Sequence, residues 1–153
     1  MLLGSINHVS ITVTDLEAAM RFFGPLLEFI GYTVGAIQPH LGEPRDTRLT
    51  VNINFTNGTA VNVWEARPGY DHPFEIYEPG LHHVAFNAAT HEQVDAMAAL
   101  VLQLGGRILD GPGEFPYGPG GYYAVYFLGP DNLKFEFVHM PLAEQRCRAL
   151  GLL

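Results

Sequence analysis

The sequence predicts an α+β fold made from one βαβββ module used twice, and three observations carry that expectation. Ile6–Gly31, "INHVSITVTDLEAAMRFFGPLLEFIG", aligns without a gap on Leu81–Gly106, "LHHVAFNAATHEQVDAMAALVLQLGG", at a constant offset of 75. Each copy begins with apolar residues at every second position and then shifts to helical spacing. Each is followed by two strand-like runs around a tight turn. The expected layout is a single domain spanning 1–153: a first module at 5–66, a linker at 67–80, a second module at 81–140 and a C-terminal tail at 141–153.

In the opening strand Val9, Ile11 and Val13 alternate with His8, Ser10 and Thr12. Side chains point to opposite faces in turn, so the first set should pack on a helix and the second should share the other face. The helix that follows shows an apolar stripe of Leu16, Ala19, Phe23, Leu26 and Ile30, with a capping pattern at Thr14-x-x-Glu17 and a stop at Gly31. Pro25 removes a backbone donor and should kink or restart it. A short strand is expected within 32–38. "RLTVNINF" (48–55) and "AVNVWEA" (60–66) then form a hairpin around Asn57-Gly58.

The second module repeats the plan. Val84, Phe86 and Ala88 face the helix, and His83, Ala85 and Asn87 face away from it. His82 falls on the helix side, where a hydrogen-bonded structural role is expected. The helix stripe is Val94, Met97, Ala98, Val101 and Leu104, after a Thr90-x-x-Gln93 capping pattern. A short strand is expected at 107–110. "DGPGEFPYGPGG" (110–121) reads as an irregular loop and potential lid, and "GYYAVYFL" (121–128) and "LKFEFVH" (133–139) pair around Gly129–Asn132. The tail is expected to form a short helix.

Composition narrows the function. Apolar residues make up 48% and charged residues 16%, enough for a packed core. Eight basic against sixteen acidic residues offer no basic patch to nucleic acid or an anionic membrane. Apolar runs are broken by Arg21, Gly24-Pro25 and Glu28, so no membrane span is expected. The single Cys147 and the lack of a signal-like N-terminus suit a soluble, cytoplasmic protein.

The chemistry gathers on the faces away from the helices. His8 and His83 occupy equivalent strand positions, and alternation puts Glu136, between Phe135 and Phe137, on the corresponding face of the last strand. A carboxylate flanked by phenylalanines must be paired or bound to metal. Two histidines and a carboxylate are the ligand set of catalytic zinc and non-haem iron sites. Aligning the hairpins puts Asn62 at the position equivalent to Glu136. Glu65 falls on the Val61/Val63 face and could reach the site only through a bulge. Ser10, Thr12, Trp64, Asn87 and Lys134 share the polar faces, and Tyr117, Tyr122, Tyr123 and Tyr126 are candidate neighbours.

"NHVSITVTDLEAAMRFF", "GLHHVAF" and "GPDNLKFEF", in that order, resemble the vicinal oxygen chelate superfamily of glyoxalases, bleomycin-resistance proteins, fosfomycin-resistance transferases and extradiol dioxygenases. The resemblance covers about residues 5–140. It implies curved mixed sheets enclosing a cavity with a divalent metal (Fe2+, Mn2+, Zn2+ or Ni2+) on His8, His83 and Glu136, and a fourth-ligand position at Asn62. It further implies a homodimer acting on a small-molecule substrate through two adjacent oxygens, by dioxygenase-like or lyase/isomerase-like chemistry. Asn62 is uncharged and cannot act as a proton-transferring base, which argues against a lactoylglutathione lyase. The alternatives are a metal-free drug-binding protein of the bleomycin-resistance type and a fosfomycin-type transferase. The loops at 38–48, 66–80 and 110–121 should set specificity.

Overall fold

The computed structural model describes residues 5–42, 47–70, 72–117 and 120–151. Parts of the three specificity loops (43–46, 71 and 118–119) and both chain ends (1–4 and 152–153) lie outside the described residues. The chain divides into two compact units, 1–74 and 75–153.

The first unit runs β1 (His8–Val13), α1 (Leu16–Phe29), β2 (Gln38–Pro39), β3 (Arg48–Asn54) and β4 (Thr59–Glu65). Its open sheet has the order β1-β4-β3-β2, with β1 parallel to β4 and the other neighbours antiparallel. Alternation acts as expected: Ile11 and Val13 are buried, while His8, Ser10 and Thr12 are exposed. Helix α1 buries Leu16, Ala19, Phe23 and Leu26, and also Phe22 and Leu27. Burying each of these large side chains contributes about 1.5–3 kcal/mol.

Three expectations for this unit change. Asp15, not Thr14, caps α1, its Oδ1 accepting from the Ala18 N–H at 2.8 Å. Both residue types cap well, and starting at Leu16 lets that leucine be fully buried. The helix also continues through Pro25 as one element. Pro25 and Arg21, whose backbone hydrogen bond proline removes, both lie on the exposed face. Finally, the strand expected in 32–38 is reduced to a bridge between Thr33 and Ile53 and the two-residue β2. There Gly35 donates its N–H to Asn52 Oδ1 at 3.2 Å, and a Cβ on it would lie 2.3 Å from the Val51 carbonyl oxygen.

The second unit runs β5 (Val84–Asn87), α2 (His91–Gln103), β6 (Arg107–Glu114), β7 (Tyr123–Leu128), β8 (Lys134–His139) and α3 (Pro141–Ala149). Its order, β5-β8-β7-β6, with β5 parallel to β8, is the same as in the first unit. Thr90 caps α2 by accepting from the Gln93 N–H, while the Gln93 side chain reaches back to the Ala89 N–H. Asp131 and Asn132 both adopt left-handed backbone in the turn before β8, a region open to Asx residues.

The Gly/Pro segment is the main correction here: 110–114 belongs to β6, not to a loop. Being an edge strand, β6 tolerates proline, and its register shifts between Ile108 and Asp110 and between Asp110 and Gly113. Gly111 approaches the Ala124 carbonyl as Gly35 approaches Val51, with 2.3 Å to a hypothetical Cβ.

Candidate functional site

In the first unit β4 lies between β1 and β3, and Ser10, Asn62 and Val51 are register partners on the face away from α1. His8 and Thr12, two residues to either side of Ser10, share that face. His8 Nδ1 lies 2.8 Å from Asn7 Oδ1. An amide oxygen only accepts, so Nδ1 is the donor in this contact and Nε2 is left facing away from it. Asn62 donates from Nδ2 to Ser10 Oγ at 3.4 Å, whereas its Oδ1 is buried without a hydrogen-bond partner among the described residues. Trp64 continues the face and meets the His40 ring edge-on, centroids 4.6 Å apart.

Glu65 lies on the opposite, helix side, as alternation requires. Both of its oxygens bond Arg48, which also bridges to Glu17 of α1. That hydrogen bond to Arg48 holds the Glu17 carboxyl below its usual range. Glu65 is therefore a structural link between β3 and β4.

In the second unit β8 lies between β5 and β7, and Ala85, Glu136 and Tyr126 are register partners. The offset of 75 maps Ser10 to Ala85 and Val51 to Tyr126, so the flanking strands make Asn62 and Glu136 equivalent. Glu136 is 2% exposed, between Phe135 and Phe137 at 4% and 3%. One carboxylate oxygen lies 3.1 Å from His83 Nε2, and the other accepts a short hydrogen bond from the Tyr122 hydroxyl. Tyr126 donates to Tyr122 Oη at 3.5 Å. Burial, then the bond to Glu136, pushes the Tyr122 phenol up; burial, then the bond to Tyr122, raises Tyr126 further.

Around this network stand more aromatic rings. Phe115 stacks on Tyr117 at 5.6 Å and meets Tyr126 edge-on, and Tyr117 meets Tyr122 edge-on at 5.5 Å. The ammonium of Lys134, the sequence's single lysine, sits 5.3 Å from the centre of the Tyr126 ring. Asn87 is exposed at the end of β5. Phe115 was hidden from sequence reasoning by the Gly/Pro composition around it; its alternation with Gly113 and Tyr117 was the available signal.

Two placements differ from expectation. Tyr123 lies on the helix side, where its hydroxyl donates to Asp95 at 2.8 Å and its ring stacks on His91 at 4.1 Å. Tyr122 and Tyr126 take the carboxylate face instead. His82 and His83 precede β5 rather than opening it, and His82 is exposed and hydrogen-bonded. Its Nδ1 lies 2.8 Å from His83 Nδ1. Desolvation, then the nearby Lys134 charge and His83, push His82 below its ordinary value. Within each unit, no group of three His, Cys, Asp or Glu side chains is gathered as a metal site among the described residues.

No helix among the described residues is long and apolar enough to cross a membrane. A 2-epi-5-epi-valiolone epimerase from Actinomyces sp. is 29% identical over 155 residues, covering 90% of this chain and 80% of its own length. A glyoxylase/bleomycin resistance protein/dioxygenase domain from Frankia sp. EAN1pec shares the fold at TM-score 0.73 and 22% identity, covering 90% of this chain and 98% of that one. A fosfomycin resistance protein, FosX, from Listeria monocytogenes, solved with Mn(II) and 1S,2S-dihydroxypropylphosphonic acid, matches at TM-score 0.56 and 18% identity, covering 89% and 90%. The family profile itself matches residues 5–137. With that span and the repeated strand order of its two units, the chain belongs to the Glyoxalase/Bleomycin resistance protein/Dioxygenase superfamily.

Proposed function

We propose that the chain is a divalent-metal-dependent enzyme that grips two adjacent oxygens of a small molecule and moves a proton beside them, as an epimerase, isomerase or lyase does. The observation that carries this reading is Glu136: a carboxylate buried between two phenylalanines, with a histidine and a tyrosine as its partners in place of lysine or arginine. Such a charge is costly unless a cation offsets it. Donors of these chemical types suit a divalent metal. His8 offers its Nε2, Asn62 a buried amide oxygen without a partner among the described residues, and His83 lies against Glu136. His8, His83 and Glu136 would hold Fe2+, Mn2+, Zn2+ or Ni2+, with Asn62 at the fourth position.

The bound ion would supply Lewis-acid stabilisation of charge developing on a substrate oxygen. The chain's own groups would do the rest. Tyr122 and Tyr126 hold their protons, because burial and the hydrogen bond that each donates, Tyr122 to Glu136 and Tyr126 to Tyr122, raise both phenols, so they are donors to Glu136 or to a substrate oxygen. Ser10, Thr12, Trp64, Asn87 and Tyr117 would line the substrate's surroundings, and Lys134 would attract a negative group. The Actinomyces relative, named as an epimerase, favours proton transfer over oxygen chemistry. Two copies are expected to associate, which sedimentation of the purified protein would read.

Deuterium exchange tests the chemistry. Metal-loaded protein, offered a panel of small α-hydroxy ketones and α-hydroxy acids in heavy water, should exchange the carbon-bound hydrogen on the hydroxyl-bearing carbon of one of them. The exchange should vanish in His83→Ala. One observation favours a second reading, metal-free binding: Glu136 already accepts two hydrogen bonds. Compounds that bind with equal affinity with and without metal, and never exchange, would establish that reading and overturn the enzyme.

A further inference from the structure

We infer that Lys134 selects the substrate: the small molecule carries a carboxylate set apart from its two adjacent oxygens, Lys134 pairs with it, and the Phe115–Tyr117 wall packs on the carbon skeleton between. The inference deepens the proposed function and rests on it for the place of those two oxygens. Lys134 and Glu136 stand two residues apart on β8, so both side chains leave the sheet on the same face, about 7 Å from each other along the strand. Lys134 is half-buried. Its ammonium lies over the Tyr126 ring, 5.3 Å from the centre, and Tyr126 is the register partner of Glu136.

A chain with sixteen acidic residues has carboxylates to spare for its single lysine. Among the described residues, none is paired with it. A tyrosine face attracts a cation without neutralising it, so the positive charge remains for an anion to meet. One ammonium matches one negative charge. A carboxylate carries one, whereas a phosphate group carries about 1.5–2 and would leave the excess facing Glu136.

Beside Tyr126 stands the apolar half of the subsite. Phe115 and Tyr117 alternate past the end of β6 and stack on each other at 5.6 Å, and Phe115 meets Tyr126 edge-on at 5.2 Å. The Phe115 N–H donates to the Tyr122 carbonyl at 2.8 Å, which fixes the base of this wall to β7's leading end, while Tyr117 is 54% exposed. Two stacked rings held out on a strand end offer a flat apolar surface to a carbon skeleton. The substrate class is thus a hydroxy ketone or hydroxy acid with a further carboxylate and an apolar or planar segment before it.

Two probes without adjacent hydroxyl and carbonyl oxygens test the subsite by itself: 3-phenylpropionate and its neutral amide, titrated calorimetrically into the full chain with a chelator present. Wild type should bind the carboxylate about 10-fold more tightly than the amide, the size of one charge-assisted hydrogen bond. The preference should shrink as salt rises. Lys134→Met should abolish it while leaving the amide's affinity nearly unchanged, and Lys134→Arg should restore it. Tyr117→Ala should weaken both probes alike and keep the preference. Equal wild-type affinity for the two probes, or a preference that survives in Lys134→Met, would overturn the inference. The exchange assay separates it from the reading it rests on. Hydroxy ketones with a distal carboxylate should exchange faster than their amides in the wild type, but not in Lys134→Met. Exchange without that preference would overturn the inference and leave the enzyme standing. A Lys134-dependent preference for 3-phenylpropionate in a protein that exchanges nothing would support the carboxylate subsite and sink the enzyme.

Discussion

Glu136→Gln keeps the shape of a fully buried side chain and removes its charge, so it separates what the carboxylate does for folding from what it does for function. Burying the carboxylate costs several kcal/mol even after the surroundings relax. Against that stand two hydrogen bonds to an ionised acceptor, from His83 and Tyr122, at about 1.5–3 kcal/mol each. The two sums are of similar size. A glutamine in the same place can still accept from Tyr122, and its amide can donate to His83 Nε2 once that nitrogen carries the lone pair. Two neutral hydrogen bonds at about 1 kcal/mol each then replace the charged ones, and the desolvation cost is gone. The metal-free variant should therefore unfold in urea within about 1 kcal/mol of the wild type, with an unchanged slope. Its capacity to hold a divalent ion should be lost. A loss of more than about 3 kcal/mol would mean that Glu136 is an anchor of the fold, and the reasoning from its unfavourable burial would fail.

Tyr122→Phe should act oppositely, costing about 1–3 kcal/mol in the same urea assay because it leaves a buried carboxylate oxygen without its donor. Wild-type stability would show that solvent already serves that oxygen. Gly35→Ala should destabilise by about 1–3 kcal/mol or more, since its Cβ would press 2.3 Å onto a backbone carbonyl in a close crossing that neither partner can leave easily; unfolding with the wild type would refute the crossing. Glu17 has its folded pKa lowered by Arg48, so the stability it contributes is present above the unfolded carboxyl range and is lost as pH falls through the folded value. Thermal unfolding of Glu17→Gln should thus fall below the wild type near neutrality and converge with it in acid. A gap independent of pH would show that the Arg48 contact is not the cause.

The repeat carried most of the legible information. A constant offset of 75 and strict alternation separated His8 from Val9 and His83 from Val84, and put Glu136 on the face away from the helix, because a strand offers only two directions. They also kept Glu65 off that face, and the Arg48 link shows what it does there. What alternation lacked was phase. In "GYYAVYFL" either tyrosine set could face Glu136, and only the register Tyr126↔Glu136, fixed by long-range pairing, chose Tyr122 over Tyr123. Composition misled at 110–114, since glycine and proline mark loops but are tolerated on an edge strand with shifted register. The capping pattern pointed to Thr14, whereas Asp15 caps the helix and leaves Leu16 fully buried at its first position.

Metal content, measured by elemental analysis on protein purified with neither added metal nor a histidine tag, tests the central claim most directly when His83→Ala is prepared in parallel. The account predicts near-stoichiometric iron, manganese, zinc or nickel in the wild type and its loss in the variant. Wild-type protein that is metal-free as purified, and stays so after incubation with excess divalent ions, would contradict it.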